Sequence, residues 1–287
     1  MLIPPIGDLL SKAWRSYNED NAGRLAAAFS FFAILALAPL LVFAVFVVGQ
    51  IYGSDLYAQH KLLSLARDQM GEGTGDFLKT LITNAHKPGA GVVALSLSGL
   101  VALYGASSLF SQLSDAINAI WGVAPVKGSA VKNFILAKAA SIVMVLVFAV
   151  FVLGWMVLDA VIGAGSRASG AFPGWPFVSL LVSTLFLTAA FAVAFKGMPR
   201  GMVAWGDTIW GAFLTALGFS VAKFALSLYF TYTHVASAYG PAGALVLVLL
   251  WIYYSAQIFF FGAEVVYVTS HEYGSQRDRL RTTETFS

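Results

Sequence analysis

The last apolar run of the sequence, residues 239 to 268, reads YGPAGALVLVLLWIYYSAQIFFFGAEVVYV and carries one formal charge, Glu264. A helix crosses the hydrocarbon layer of a membrane with about 20 residues, so this run is long enough to span it. In the whole chain, 59% of the 287 residues are apolar and 11% are charged. Soluble domains contain about 25% charged residues. The sequence therefore predicts an integral membrane protein.

Six apolar runs are long enough to span a bilayer. They cover about residues 25–49, 90–111, 135–158, 177–196, 206–230 and 240–268. No obvious linker or internal repeat divides them. The predicted fold is therefore all-α, a single polytopic membrane domain over residues 1–287 built as a six-transmembrane-helix bundle. The segment before the first run lacks the short cationic start of a signal peptide, so we expect the first helix to be retained.

The basic residues predict the orientation of this bundle. Eleven Lys and Arg residues flank the spans on the side of both termini, whereas five lie on the opposite side, four of them in the long segment 50–89. Short loops rich in Lys and Arg are kept in the cytoplasm. We therefore expect both termini, including the tail 269–287, to be cytoplasmic.

The external segment 50–89 is the only loop long enough for structure of its own. Its apolar residues recur at helical spacing in two groups. The groups are Leu62, Leu65, Ala66 and Met70, then Phe77, Leu81 and Ile82. We expect two short amphipathic helices separated at GEGTG, residues 71–75. They would cap the bundle, lie on the membrane surface or bind a partner, and capping is the expected role.

Sequence motifs of enzymes and metal sites are absent. The four histidines lie in separate loops or the tail, and the chain has no cysteine. No pair of side chains has metal-ligand spacing, and HExxH, GxSxG and Walker A sequences are missing. The basic residues are spread between apolar runs, unlike those of a nucleic-acid binder. We expect no enzyme activity, no cofactor, no metal and no nucleic-acid partner, and the lipid bilayer as surroundings.

Two polar stripes follow otherwise apolar helices. In the last span, Tyr253 and Gln257 lie about three and two turns before Glu264 and share its face. Glu264 lies near the negative end of its own helix, so helix stability does not explain it. The second span and its continuation carry polar residues at spacings of four, three and three. These residues are Ser108, Gln112, Asp115 and Asn118.

If the two stripes meet, Asp115 and Glu264 form a carboxylate pair at the inner mouth of a cavity, with Lys138 as a counter-ion. A proton-coupled transporter stores its proton on such a pair. The alternative is a hydrogen-bonding seam between helices at the water boundary. The residue types and spacing leave both interpretations open.

Two further features concern packing. Pro39 cannot donate a backbone hydrogen bond and is expected to kink the first span, without a functional role. Ala212, Ala216 and Ser220 form a ridge of small residues that lets helices approach closely. The ridge packs either within the bundle or between the subunits of a homo-oligomer.

The last span carries a recognisable order of residues. They are Tyr239, Gly240, Trp251, Tyr253, Tyr254, Gln257, Gly262, Ala263 and Glu264. The segments AINAIWGV, with Asn118 and Trp121, and AAAFSFFAILALAPLL, with Pro39, add two matches. Over about residues 10–270 the chain resembles the YihY/BrkB family of bacterial inner-membrane proteins, although Phe29 and Phe32 stand where a tyrosine is expected. The resemblance implies six helices in the inner membrane with cytoplasmic ends.

Two functions are compatible with these features. The first is a transporter or exporter of a small solute or an amphiphilic lipid, whose pathway is lined by the two polar stripes. The second is a non-transporting envelope scaffold, in which segment 50–89 binds a partner. The family was once labelled ribonuclease BN, a label at odds with a sequence that has no metal-site motif and no cluster of basic residues.

Overall fold

A computed structural model describes residues 5–52, 55–70, 78–80, 82–83, 92–123, 129–168, 174–199, 203–233, 243–274 and 276. Within these residues the chain is helical and has no strand, which confirms the predicted all-α fold of a polytopic membrane protein. In chain order the helices are α1 (Ile6–Glu19), α2 (Ala22–Tyr52), α3 (Asp55–Met70), α4 (Val92–Ile120), α5 (Ala130–Ala168), α6 (Trp175–Gly197), α7 (Trp205–Thr233) and α8 (Gly243–Val268). A π-helical turn, Thr269–Tyr273, continues α8.

Four stretches of the described helices are long and apolar enough to cross a membrane. They are Val131–Ser166, Phe177–Gly197, Trp205–Ala225 and Leu245–Tyr273, and they correspond to the last four predicted spans. A fifth is added when α1 and residues Ala22–Leu37 of α2 are counted as one bent span. α2 contains the first predicted span, α4 contains residues 92–111 of the second, and α4 continues to Ile120 through the predicted polar stripe. The number six stays a prediction.

Helix α1 was not predicted, because the sequence analysis treated this segment only as a charged lead-in. Its residues Leu9, Ala13 and Tyr17 recur every fourth position and are buried along one face. The helix ends at Glu19, and Asn21, two residues later, has a φ of +53°, a left-handed conformation that Asn tolerates better than most residues. The backbone N–H of Asp20 donates to the Ser16 carbonyl, at 2.9 Å, in this last turn. The chain thereby leaves α1 and enters α2.

One of two compact units contains residues 1–23, 113–220 and 258–287. In this unit α7 and α8 are in close contact, because Gly211 lies against Val266 and Gly262 lies against Thr215. Ala212 and Ala216 have no exposed surface. The predicted ridge of small residues therefore packs inside the chain at these two positions.

The same unit contains the contact between α5 and α6. The rings of Phe151 and Trp155 on α5 each lie 5.6 Å from the ring of Phe186 on α6. Gly154 leaves room for this aromatic ring, since a Cβ there would lie 3.3 Å from it. Most other large side chains of α5 are exposed in the isolated chain, as expected for a helix that faces lipid.

The second unit contains residues 24–112 and 221–257. Within it Ala26, Ser30 and Ala33 form the buried side of α2. α3 confirms the first short helix of the external segment, and the predicted break at residues 71–75 lies outside the described residues. α2 is helical through Pro39, whose side chain is not described, so the kink stays a prediction. A single bundle of all six spans also stays a prediction.

Candidate functional site

Helix α1 packs on the end of α8. Leu9 and Ala13 of α1 form a buried cluster with Val265 and Val268 of α8. Trp14 and Tyr17 stack at a centroid distance of 5.6 Å, and both rings contact the ring of Phe261. This apolar contact positions the end of α1 beside the last turns of α8.

Glu264 is the buried carboxyl of this contact. It lies about one turn before the end of α8 and has no exposed surface. Among the described residues, neither of its carboxyl oxygens has a hydrogen-bond partner of normal geometry. The indole N–H of Trp121 donates to the carbonyl of the adjacent Ala263, at 3.1 Å, and fixes this turn. An ionised carboxylate in such surroundings is costly unless a positive charge joins it.

Asp20 and Ser16, both at the end of α1, are polar neighbours of Glu264, and the phenol of Tyr267 on α8 lies near both carboxyls. Asp20 follows Ser16 by four residues, so both lie on the same side of the helix. Desolvation raises the pKa of the Asp20 carboxyl, although its side chain keeps an exposed surface. The site therefore brings two carboxyl groups and a hydroxyl together.

A network of polar side chains ties α1 to the π-helical turn. Lys12 binds Glu272, and its ammonium also lies 3.1 Å from Asp8 and 3.2 Å from the Tyr273 hydroxyl, which donates to Asp8. The hydrogen bond to Glu272 raises the pKa of Lys12, and the hydrogen bond from Tyr273 holds the pKa of Asp8 below its usual value. We call these four residues the terminal network.

An open groove of about 490 Å³ lies between α1 and the turn. Its walls carry positively charged side chains, negatively charged side chains and a histidine. The lining residues are Lys12, Arg15, Ser16, Glu19, Tyr267, Val268, His271 and Glu272. Ser16 also neighbours Glu264, so the groove reaches to within one side chain of the buried carboxyl. Such a groove suits a polar or zwitterionic group that approaches the carboxyl pair.

The predicted stripe on α4 contains buried and exposed residues. Asn118 is buried and its amide donates to the Ser114 carbonyl at 2.7 Å, and Ser108 donates to the Tyr104 carbonyl at 2.8 Å. Gln112 and Asp115 are exposed. Asp20 is the carboxyl found beside Glu264, whereas a pairing of Glu264 with Asp115 stays a prediction.

The remaining predicted residues have partly buried side chains. Tyr253 and Gln257 on α8 are half-buried, and so is Lys138 on α5. The ring of Tyr253 lies 5.4 Å from that of Tyr254. A role for these three residues in a substrate pathway, and a role for Lys138 as counter-ion, stay predictions.

Sequence reasoning missed Ser16 and Asp20. One signal was available, because Leu9, Ala13 and Tyr17 give the lead-in an apolar face that must be buried somewhere. The sequence did not indicate which segment covers that face, because the segment, the end of α8, lies at the other end of the chain. The polar residues beside that face were therefore not assigned to the Glu264 site.

Comparisons with known proteins identify relatives over nearly the whole chain. The family model described as Virulence factor BrkB matches residues 13–285. A UPF0761 membrane protein of Ralstonia nicotianae is 29% identical over 273 residues, covering 92% of this chain and 59% of the relative. A UPF0761 membrane protein of Haemophilus influenzae is 23% identical over 275 residues, covering 92% of this chain and 95% of the relative.

Some relatives are longer than this chain. A UPF0761 membrane protein of Nitrosospira multiformis is 24% identical over 256 residues, which cover 87% of this chain and 58% of the relative. The chain thus spans less than two thirds of the length of the Ralstonia and Nitrosospira relatives. No solved structure matches the chain.

Proposed function

The chain belongs to the BrkB family of membrane proteins, and from this premise we propose that it is an inner-membrane transporter of a small solute or an amphiphilic lipid. Its pathway passes Glu264, and both of its termini are cytoplasmic. The observation that carries this proposal is the fully buried carboxyl of Glu264, which has no hydrogen-bond partner of normal geometry among the described residues. Ionisable groups within spanning helices are rare because they are costly, and they commonly mark substrate or ion pathways.

The groove supports this assignment. It connects the surface of the chain with Ser16, the neighbour of Glu264, and its walls offer cationic and anionic side chains. A substrate with a polar or zwitterionic group would enter there. The predicted residues Gln112, Asp115, Asn118, Tyr253 and Gln257 are candidates for further parts of the pathway.

A test that needs no knowledge of the substrate uses water access. A transporter exposes its central site to each side of the membrane in turn, whereas a scaffold keeps a buried seam sealed. Because the chain contains no cysteine, single cysteines can be introduced by Glu264→Cys, Lys12→Cys and Val266→Cys. Each is labelled with a membrane-impermeant thiol reagent in right-side-out and inverted vesicles.

We expect Glu264→Cys to react in both vesicle preparations. Lys12→Cys, at an exposed position on α1, should react only from the cytoplasmic side and so fixes the orientation. Val266→Cys, two residues from Glu264 on α8 and fully buried, is the matched control and should stay protected because valine and cysteine are similar in size. Protection of Glu264→Cys in both preparations, with Lys12→Cys labelled, would favour the scaffold function instead.

A further inference from the structure

The carboxyl pair formed by Glu264 and Asp20 has no cation from the groove beside it to balance its charge. Lys12 is bound by Glu272 and Asp8, and Arg15 is bound by Glu19 at 2.8 Å. The side chain of His271 lies 3.0 Å, through Nδ1, from the Tyr267 carbonyl. The bases that line the groove are thus engaged with other partners.

The helices packed around Glu264 add no charge at their contact points. α7 presents Thr215 next to Gly262, and the end of α4 presents Trp121 next to Ala263. α1 contributes Ser16 and Asp20. Among the described residues, the titratable groups beside the buried carboxyl are the second carboxyl, Asp20, and the phenol of Tyr267 one turn further along α8, and Ser16 adds a hydroxyl.

Two neighbouring carboxyl groups cannot both be ionised at low cost unless a cation lies between them. In the part of the chain that the structure describes, no group of three or more His, Cys, Asp or Glu side chains is assembled for a metal ion. Two carboxyl groups and a hydroxyl offer few ligands for a divalent ion, which prefers six or more oxygens. One unit of positive charge is enough to leave the pair with a single negative charge.

We propose that Glu264, Asp20 and the Ser16 hydroxyl form a binding site for one small monovalent cation, either a proton shared by the two carboxyls or a sodium ion held by their oxygens. The inference builds on the proposed transport function, for which this site is the coupling site. The cation reaches it through the groove, past Ser16. Because Asp20 caps the end of α1 and Glu264 lies on α8, an occupied site holds the two helices together.

The test measures the thermal unfolding of the purified full chain in detergent. Tm is recorded while sodium chloride replaces choline chloride at constant ionic strength, and in a separate series from about pH 6 to about pH 9, a range that brackets a shared proton. The variants are Glu264→Gln and Asp20→Asn, with Asp159→Asn as the control. Asp159 is an exposed carboxylate on α5 that does not line the groove.

A sodium site raises Tm with a saturable dependence on sodium in the wild type and in Asp159→Asn. A proton site gives no sodium response, and Tm falls as the pH rises because the bound proton is lost. Either response should disappear in Glu264→Gln and in Asp20→Asn. Glu264→Gln keeps nearly the shape of the side chain, and Asp20 lies at the surface, so at least one of the two variants should fold.

The inference is overturned when the wild type and both variants respond alike, or when the wild type responds to neither cation. Its outcome is independent of the labelling experiment. A cation response with a protected Glu264→Cys would keep the site and remove the transport function. Labelling from both sides without a cation response would keep the pathway and remove the site.

Discussion

α5 and α8 are both apolar enough to cross a membrane, but α5 and the last turns of α8 have opposite surroundings. On α5, Leu146 is 58% exposed and Val150 is 68% exposed, so this helix presents its apolar side chains to lipid. On α8, Phe260, Ala263 and Glu264 have no exposed surface. The difference explains where a charge is tolerated. A carboxyl on the exposed face of α5 would meet hydrocarbon, whereas Glu264 meets polar groups that α1 supplies.

The largest expected effect comes from truncating one large apolar side chain in each region. Phe260→Ala removes a ring that is packed on all sides, and we expect it to cost about 3 kcal/mol of unfolding free energy. Leu146→Ala removes a side chain that contacts lipid, and a change of about 0.5 kcal/mol or less is expected. Unfolding by a denaturing detergent in mixed micelles measures the change in unfolding free energy for both variants. Equal costs would show that α5 is packed against protein as tightly as α8.

The close approach of α7 and α8 gives the second effect. A Cβ at Gly262 would lie 2.8 Å from Cγ2 and 2.9 Å from Cβ of Thr215, so Gly262→Ala forces the helices apart. We expect it to destabilise the protein by about 1–3 kcal/mol, the usual cost of overpacking. Gly218→Ala is the matched control on α7, because its Cβ would lie 3.8 Å from Ile258, an ordinary contact. Similar stabilities for the two variants would contradict this close packing.

The sequence predicted most of what depends on length and mean hydropathy. The spans 177–196 and 206–230 lie within α6 and α7, because a bilayer requires a long apolar run whatever its neighbours are. The sequence analysis also identified Glu264, because a negative carboxylate near the C-terminus of its helix is unfavourable with the helix dipole. These conclusions need only local information.

The sequence did not predict α1 or its contact with Glu264. Mean hydropathy does not detect an amphipathic helix, because its polar and apolar faces cancel in the average. The predicted neighbour of Glu264 was Asp115, on the α4 stripe, and this pairing stays a prediction. The structure places Asp20 beside Glu264. Asp20 comes from the other end of the chain, and its position depends on the packing of α1 against α8.

The smallest effect concerns the terminal network. Asp8→Asn removes the carboxylate that accepts from Tyr273 and lies beside Lys12, so α1 should detach from the turn more often. Because exposed ion pairs are weak, we expect backbone hydrogen exchange in α1 to rise only about twofold at low salt. Glu19→Gln breaks the pair with Arg15 inside α1 and should leave the contact with the turn intact.

The pH and salt dependence separates this network from the apolar contact of α1. The pKa of Asp8 is lowered in the folded protein, so its contribution is present above its ordinary value of 3.8 and is lost as the pH falls through the lower folded value. The difference between Asp8→Asn and the wild type should therefore persist at neutral pH, shrink in strong acid, and shrink in about 1 M salt. A difference that survives both conditions would mean that Asp8 acts through packing rather than charge.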